Sequence, residues 1–138
     1  MTIEAGISPG LNMMFGNIGD TRETLKKAVD FLVKYDDFAQ MRTIRPVTPY
    51  PGSPLFFEAI NRGLLKDSRD FYEEKHLNSD LLAVNFTDIP DDDFHALLAD
   101  ANTQLAESYF ADKLSDTKSV IQNLYYEKDI TFRGFRQT

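Results

Sequence analysis

Two glycine- and proline-rich loops hold the residues whose types and spacing could do chemistry. The first, Gly16-Asn17-Ile18-Gly19-Asp20-Thr21, stands between a short apolar run and a helical pattern. Glycine lets backbone approach a flat ring closely, and a helix N-terminus presents amide donors without intrahelical partners. Such a loop can seat a ligand, or it can simply turn a strand into a helix with Asp20 as the cap. The second loop, Thr48 to Leu55, reads TPYPGSPL and is stiffened by proline. It follows a predicted strand, the end at which β/α folds build their sites. Arg42 and Arg45 lie on or just after that strand. Strand alternation puts them on opposite faces, so at most one points inward, where it needs a carboxylate partner.

Other chemistries find little support. His76 and His95 are the only histidines, and neither has the i, i+4 partner of a metal site, so both read as surface or partly buried residues with satisfied hydrogen bonds. The acidic run Asp91 to Asp93 lacks the alternation and glycine of a calcium loop and suits a first helical turn. The chain has no cysteine, which excludes disulfides, thiolate zinc sites and cysteine-held clusters within it. No Ser/His/Asp triad, phosphate loop or paired catalytic carboxylates stand out. We assign no catalytic and no metal-ligating residue.

The elements that must position the two loops are legible as consecutive strand-loop-helix units. Leu11 to Phe15 reads as a buried parallel strand. A helix follows with Asp20 and Glu23 as a capping box and Leu25, Ala28, Val29, Leu32 and Val33 on one face. Phe38 to Ile44 reads as the second strand, stopped by Pro46, and the loop to Pro54 holds four of the six prolines. Ser53 as cap and Pro54 as first residue start the next helix, which ends near Gly63. Ser68 to Leu77 suggests a short helix, and Leu81 to Thr87 is ambiguous between a strand and an irregular crossing. From Pro90, Phe94, Leu97, Leu98, Ala101, Leu105 and Tyr109 form an apolar stripe, and a last helix is expected from about Ser115 with Val120, Ile121, Leu124 and Tyr125.

A chain of 138 residues with 42% hydrophobic content and eleven phenylalanines is sized for one domain with a modest core. Its formal charge of −7 argues against nucleic-acid binding. No apolar run approaches the roughly 18 residues of a membrane span, and no export signal opens the chain. A soluble, cytoplasmic protein is expected.

Taken together, GLNMMFGNIGDTRETL and RPVTPYPGSPLFFEAINRGLL resemble the radical S-adenosylmethionine (SAM) enzymes, especially the branch with an upstream cobalamin-binding domain. GNIGDT is similar to that family's GxPGET, with Ile18 and Asp20 departing, and TPYPGSPL departs from TPYPGTPL only at Ser53. The resemblance covers about Ala5 to Leu65. It implies an α/β chain holding the last strand-helix units of a partial (β/α) barrel over residues 1–65, then a mostly helical C-terminal extension over 66–138. It implies that Met14, Gly16, Asn17, Thr48 and Tyr50 line a SAM site. The family's CxxxCxxC is missing, so the resemblance implies a C-terminal fragment, with Ala5-Gly6-Ile7 similar to the end of a preceding helix. The parent would use SAM and a [4Fe-4S] cluster, with cobalamin an option, for methyl transfer, ring rearrangement or oxidoreduction. This chain alone would be inactive and would bind none of these groups tightly. Its partners would be the rest of the parent polypeptide and, through an exposed sheet edge, another copy. The alternatives are a self-contained α/β binding or interaction module without SAM chemistry, and a cluster-free pseudoenzyme.

Overall fold

The structure, a computed structural model, describes residues 5–136. Its centre is a two-stranded parallel sheet, β1 (Met13–Phe15) and β2 (Ile44–Pro46), with Met13 opposite Ile44, Met14 opposite Arg45 and Phe15 opposite Pro46. Parallel strands need a crossover, and α1 (Arg22–Tyr35) provides it. Thr21, one residue later than expected, caps α1: its side chain accepts from the Thr24 amide while the Thr24 hydroxyl takes the Thr21 amide. Ser53 caps α2 (Pro54–Asn61) by accepting from the Phe56 amide, with Pro54 in the first turn as the sequence suggests.

α3 (Ser68–Asp70) is a single turn that widens into a π-helical turn over Phe71–Lys75. Residues 81–87 form no strand, yet Ala83, Val84 and Phe86 are buried. α4 (Asp91–Ile121) is one helix of 31 residues where two were expected. Nothing between Asp91 and Ile121 breaks it, since that span has no glycine or proline, and Ser115 only resembles a cap. The Ser119 hydroxyl instead donates to the Ser115 carbonyl inside the helix.

Two apolar clusters hold these elements. In the first, Leu25, Val29 and Leu32 of α1 and Phe94, Leu98, Ala101 and Leu105 of α4 pack over Phe15 and Ile44. Phe15 and Phe94 stack with ring centroids 4.9 Å apart. The second gathers Val47, Phe56, Ala59, Leu65 and Phe71 with Ala83, Val84 and Phe86.

The expected partial (β/α) barrel is not there. Among the described residues only two three-residue strands occur, and 52% of those residues are helical, so the sheet has too few strands to curve toward closure. β2 also begins later than expected. Phe38 takes a positive φ of 51°, the Ala39 amide donates to Asp37, and Arg42 is drawn into an ion pair with Asp36, which keeps 38–43 out of the ladder. Any helix ahead of Ala5 lies outside the described residues. No helix among the described residues is long and apolar enough to cross a membrane.

Candidate functional site

The outward face of the small sheet and the loops at its carboxyl end enclose an open groove of about 640 Å³. Strand alternation determines which residues reach it. Met13, Phe15 and Ile44 turn toward the helices, while Met14 and its register partner Arg45 point the other way. Met14, Arg45, Thr48 and Tyr50 line the groove, joined by Met41 and Ser79. Met14 is 69% exposed and Tyr50 49% exposed, so the groove opens widely to solvent.

The proline loop is held at both ends. The Ser53 amide donates to the Tyr50 carbonyl at 3.0 Å, and Gly52 between them has a φ of 91°, which fits a type II turn with Pro51 at its second position. Beyond the turn, Ser53 caps α2. Tyr50 rests edge-on against Phe71 and His76, and its hydroxyl lies 3.5 Å from His76 Nε2. His76 stacks on the fully buried Phe71, and its Nδ1 is buried without a partner among the described residues. The sequence predicts satisfied hydrogen bonds for both histidines. Only His95 has them: it contacts the Asp91 carbonyl through Nδ1 and accepts from the Leu82 amide through Nε2.

The glycine loop is arranged differently from a ligand cradle. Asp20 Oδ2 accepts from the amides of Gly16 at 3.0 Å and Asn17 at 2.9 Å, and the Asn17 side chain accepts from the Ile18 amide. These donors are therefore engaged within the loop, as suits a turn from strand into helix. Gly16 has a φ of 100°, and a Cβ built there would lie 2.7 Å and 2.9 Å from the Phe94 ring. The close approach that requires glycine is to a core phenylalanine. Gly16 is buried and Asn17 exposed, and neither lines the groove. Of the five residues singled out, Met14, Thr48 and Tyr50 come together.

The two arginines differ in burial, though not by strand alternation, since Arg42 stands ahead of β2 and only Arg45 is in it. Arg42 is 7% exposed; its Nε donates to Asp36 at 3.0 Å and its Nη2 to the Pro9 carbonyl at 2.7 Å. Asp37 lies nearby, and hydrogen bonds from the Ser8 side chain and the Ala39 amide, with the Arg42 charge beyond them, hold its carboxyl below the usual range. Arg45 meets Asp80 at 3.1 Å with both side chains exposed, an arrangement that water weakens. Arg45 is thus the cation the groove can offer.

Asn102 of α4 was missed. Its Oδ1 accepts from the Ile44 amide at 2.8 Å and its Nδ2 donates to the Ile44 carbonyl at 2.9 Å, so one side chain takes both outward backbone groups of Ile44. A signal existed: a lone amide sits beside Ala101, four residues after Leu98 and three before Leu105, on an otherwise apolar side. Among the described residues no group of three or more His, Cys, Asp or Glu could hold a metal ion. Comparison with family models, with curated proteins and with solved structures finds no match for this chain.

Proposed function

We propose that the chain is part of a cytoplasmic radical SAM enzyme of the cobalamin-domain branch, to which it contributes one side of the SAM site, and that it is inactive alone. The observation that supports this reading is the convergence of Met14, Thr48 and Tyr50, from the two segments that resemble the family, on one groove. Met14 and Val47 would offer apolar surface there, the hydroxyls of Thr48 and Tyr50 hydrogen bonds, and Arg45 a guanidinium for a carboxylate. In such a parent, SAM with a reduced cluster would supply radical chemistry, for methyl transfer, ring rearrangement or oxidoreduction. A [4Fe-4S] cluster does not fit the residues present, since the chain has no cysteine. On this reading its thiolates come from the remainder of the parent polypeptide, and the present residues bind and orient.

One observation favours a second reading, a self-contained binding or interaction module. Asp20 and Phe94 account for Gly16 and its amide without any ligand. The deciding experiment reads the coding DNA on the 5′ side of the Met1 codon in the source genome. An in-frame CxxxCxxC supports the enzyme reading, and an authentic start at Met1 overturns it in favour of the module. Incubation of the purified chain with SAM and reductant should yield no 5′-deoxyadenosine. Cleavage would refute the claim that it is inactive alone.

A further inference from the structure

The two edges of the sheet are treated unequally. In a parallel ladder alternate residues turn their backbone groups toward the neighbouring strand. The Val47 amide donates to the Phe15 carbonyl at 2.8 Å, so with this register Met13 and Phe15 face β2, and the amide and carbonyl of Met14 face away. On β2 the outward residues are Ile44 and Pro46; Asn102 takes both groups of Ile44, and Pro46 has no amide to offer. On β1 the corresponding groups of Met14 have no hydrogen-bond partner among the described residues. The β2 edge therefore has no unpaired amide donor, whereas the β1 edge presents that of Met14.

We infer that the outer edge of β1 is an interface for a second copy of this chain, the two β1 strands pairing antiparallel about a twofold axis at Met14. Three observations select this occupant. First, the open edge is one residue wide, because the Gly16 amide is turned to Asp20. An antiparallel Met14–Met14 pair across a twofold axis satisfies both groups of both copies at once. Second, edge strands that stay single usually carry charge or proline against such pairing. Here the fifteen residues Ala5 to Gly19 carry no charge, although 27% of the chain is charged, and proline is absent from β1. A chain with a net charge of −7 presents this neutral strip where self-repulsion is least. Third, Met14 is 69% exposed on the groove face, and the twofold brings the two methionine side chains together on that face. Each copy would then wall the open side of the other's groove. This inference does not depend on the functional reading.

The test is sedimentation velocity of the full chain over a concentration series, beside Met14→Pro and Met14→Lys. Proline removes the outward amide without taking a bond from the ladder, since Met14 makes none with β2. Lysine sets like charges opposite each other across the axis. The expected result is a monomer–dimer equilibrium in the parent chain, with dissociation constants raised about tenfold or more in both variants, through two lost backbone hydrogen bonds in Met14→Pro and like-charge repulsion in Met14→Lys. Exchange of the Met14 amide should slow as the parent chain is concentrated. A parent chain that stays monomeric throughout, or a dimer that neither folded variant weakens, overturns the inference. If circular dichroism shows Met14→Pro to be unfolded, Met14→Lys alone decides.

Discussion

Gly16→Ala separates a glycine required by the core from a glycine kept for a ligand. At a φ of 100° a side chain is strained, which costs about 1–2 kcal/mol. The new Cβ would also stand 2.7 Å and 2.9 Å from Cζ and Cε2 of Phe94. That ring is fully buried and stacked on Phe15, so it cannot swing aside, and forcing an extra methyl into a packed core costs about 1–3 kcal/mol. Replacing glycine restrains the unfolded chain and returns roughly 0.4–1 kcal/mol. The net loss is about 1–5 kcal/mol, a large part of the roughly 5–15 kcal/mol of a typical domain. Urea denaturation reads it directly as a lower midpoint at unchanged slope. The decisive comparison is a double-mutant cycle with Phe94→Leu, which removes the atoms that collide. The two changes should couple by about 1–3 kcal/mol, the pair costing less than the sum, while the part due to φ remains. An additive cycle, or a Gly16→Ala variant within about 0.5 kcal/mol of the parent, would refute the packing argument.

Asn102→Ala removes three hydrogen bonds and leaves the amide and carbonyl of the 2% exposed Ile44 unpaired, so a loss of about 2–4 kcal/mol is expected by the same denaturation assay. Asn102→Asp sets a carboxylate oxygen against the Ile44 and Leu98 carbonyls and should cost at least as much. Arg42→Met strands the Asp36 carboxylate, whose side chain is 4% exposed, and should cost about 3–5 kcal/mol; adding Asp36→Asn should recover part of it. A stable single variant would contradict the burial of that pair. For Asp37 the folded carboxyl is held below its ordinary value of 3.8, first by the Ser8 hydrogen bond, so its stabilising effect is present above that pH and lost as pH falls through the folded value. The stability gap between the parent and Asp37→Asn should be full at neutral pH and close below pH 3.8, and a gap that widens in acid would reverse the sign argued here.

Local signals were legible where the residues that matter are neighbours. Ser53 and Pro54 start α2 through bonds within three residues, and Leu25, Val29 and Leu32 show their face by spacing alone. The capping of α1 was off by one because Asp20, a good cap by type, is spent on the amides of Gly16 and Asn17, leaving Thr21 to close the helix with Thr24. What could not be read depends on distant partners. The need for glycine at 16 is imposed by Phe94, and the start of β2 by Asp36 holding Arg42 and by Asn102 holding Ile44. The barrel expectation extended two local units to a global closure that needs strands from elsewhere, and within the described residues α4 covers the edge where a further strand would stand. Of the groove, Met14, Thr48 and Tyr50 were visible in the motifs, whereas Met41 and Ser79 reach it only through the turns that follow α1 and α3.

The length of α4 has a consequence for when its parts open. Phe94, Leu98, Ala101 and Leu105 fasten the first half to the core, whereas Phe110 at 62% exposed and Leu114 at 55% leave most of the second half in water. Just past the end of α4, Gly134 lies against Leu124, a light fastening beside a packed core. One continuous hydrogen-bonded rod therefore spans two regimes. Amides from Phe94 to Leu105 should exchange with deuterium only when the whole domain unfolds, and those beyond Phe110 through fraying events that leave the sheet intact.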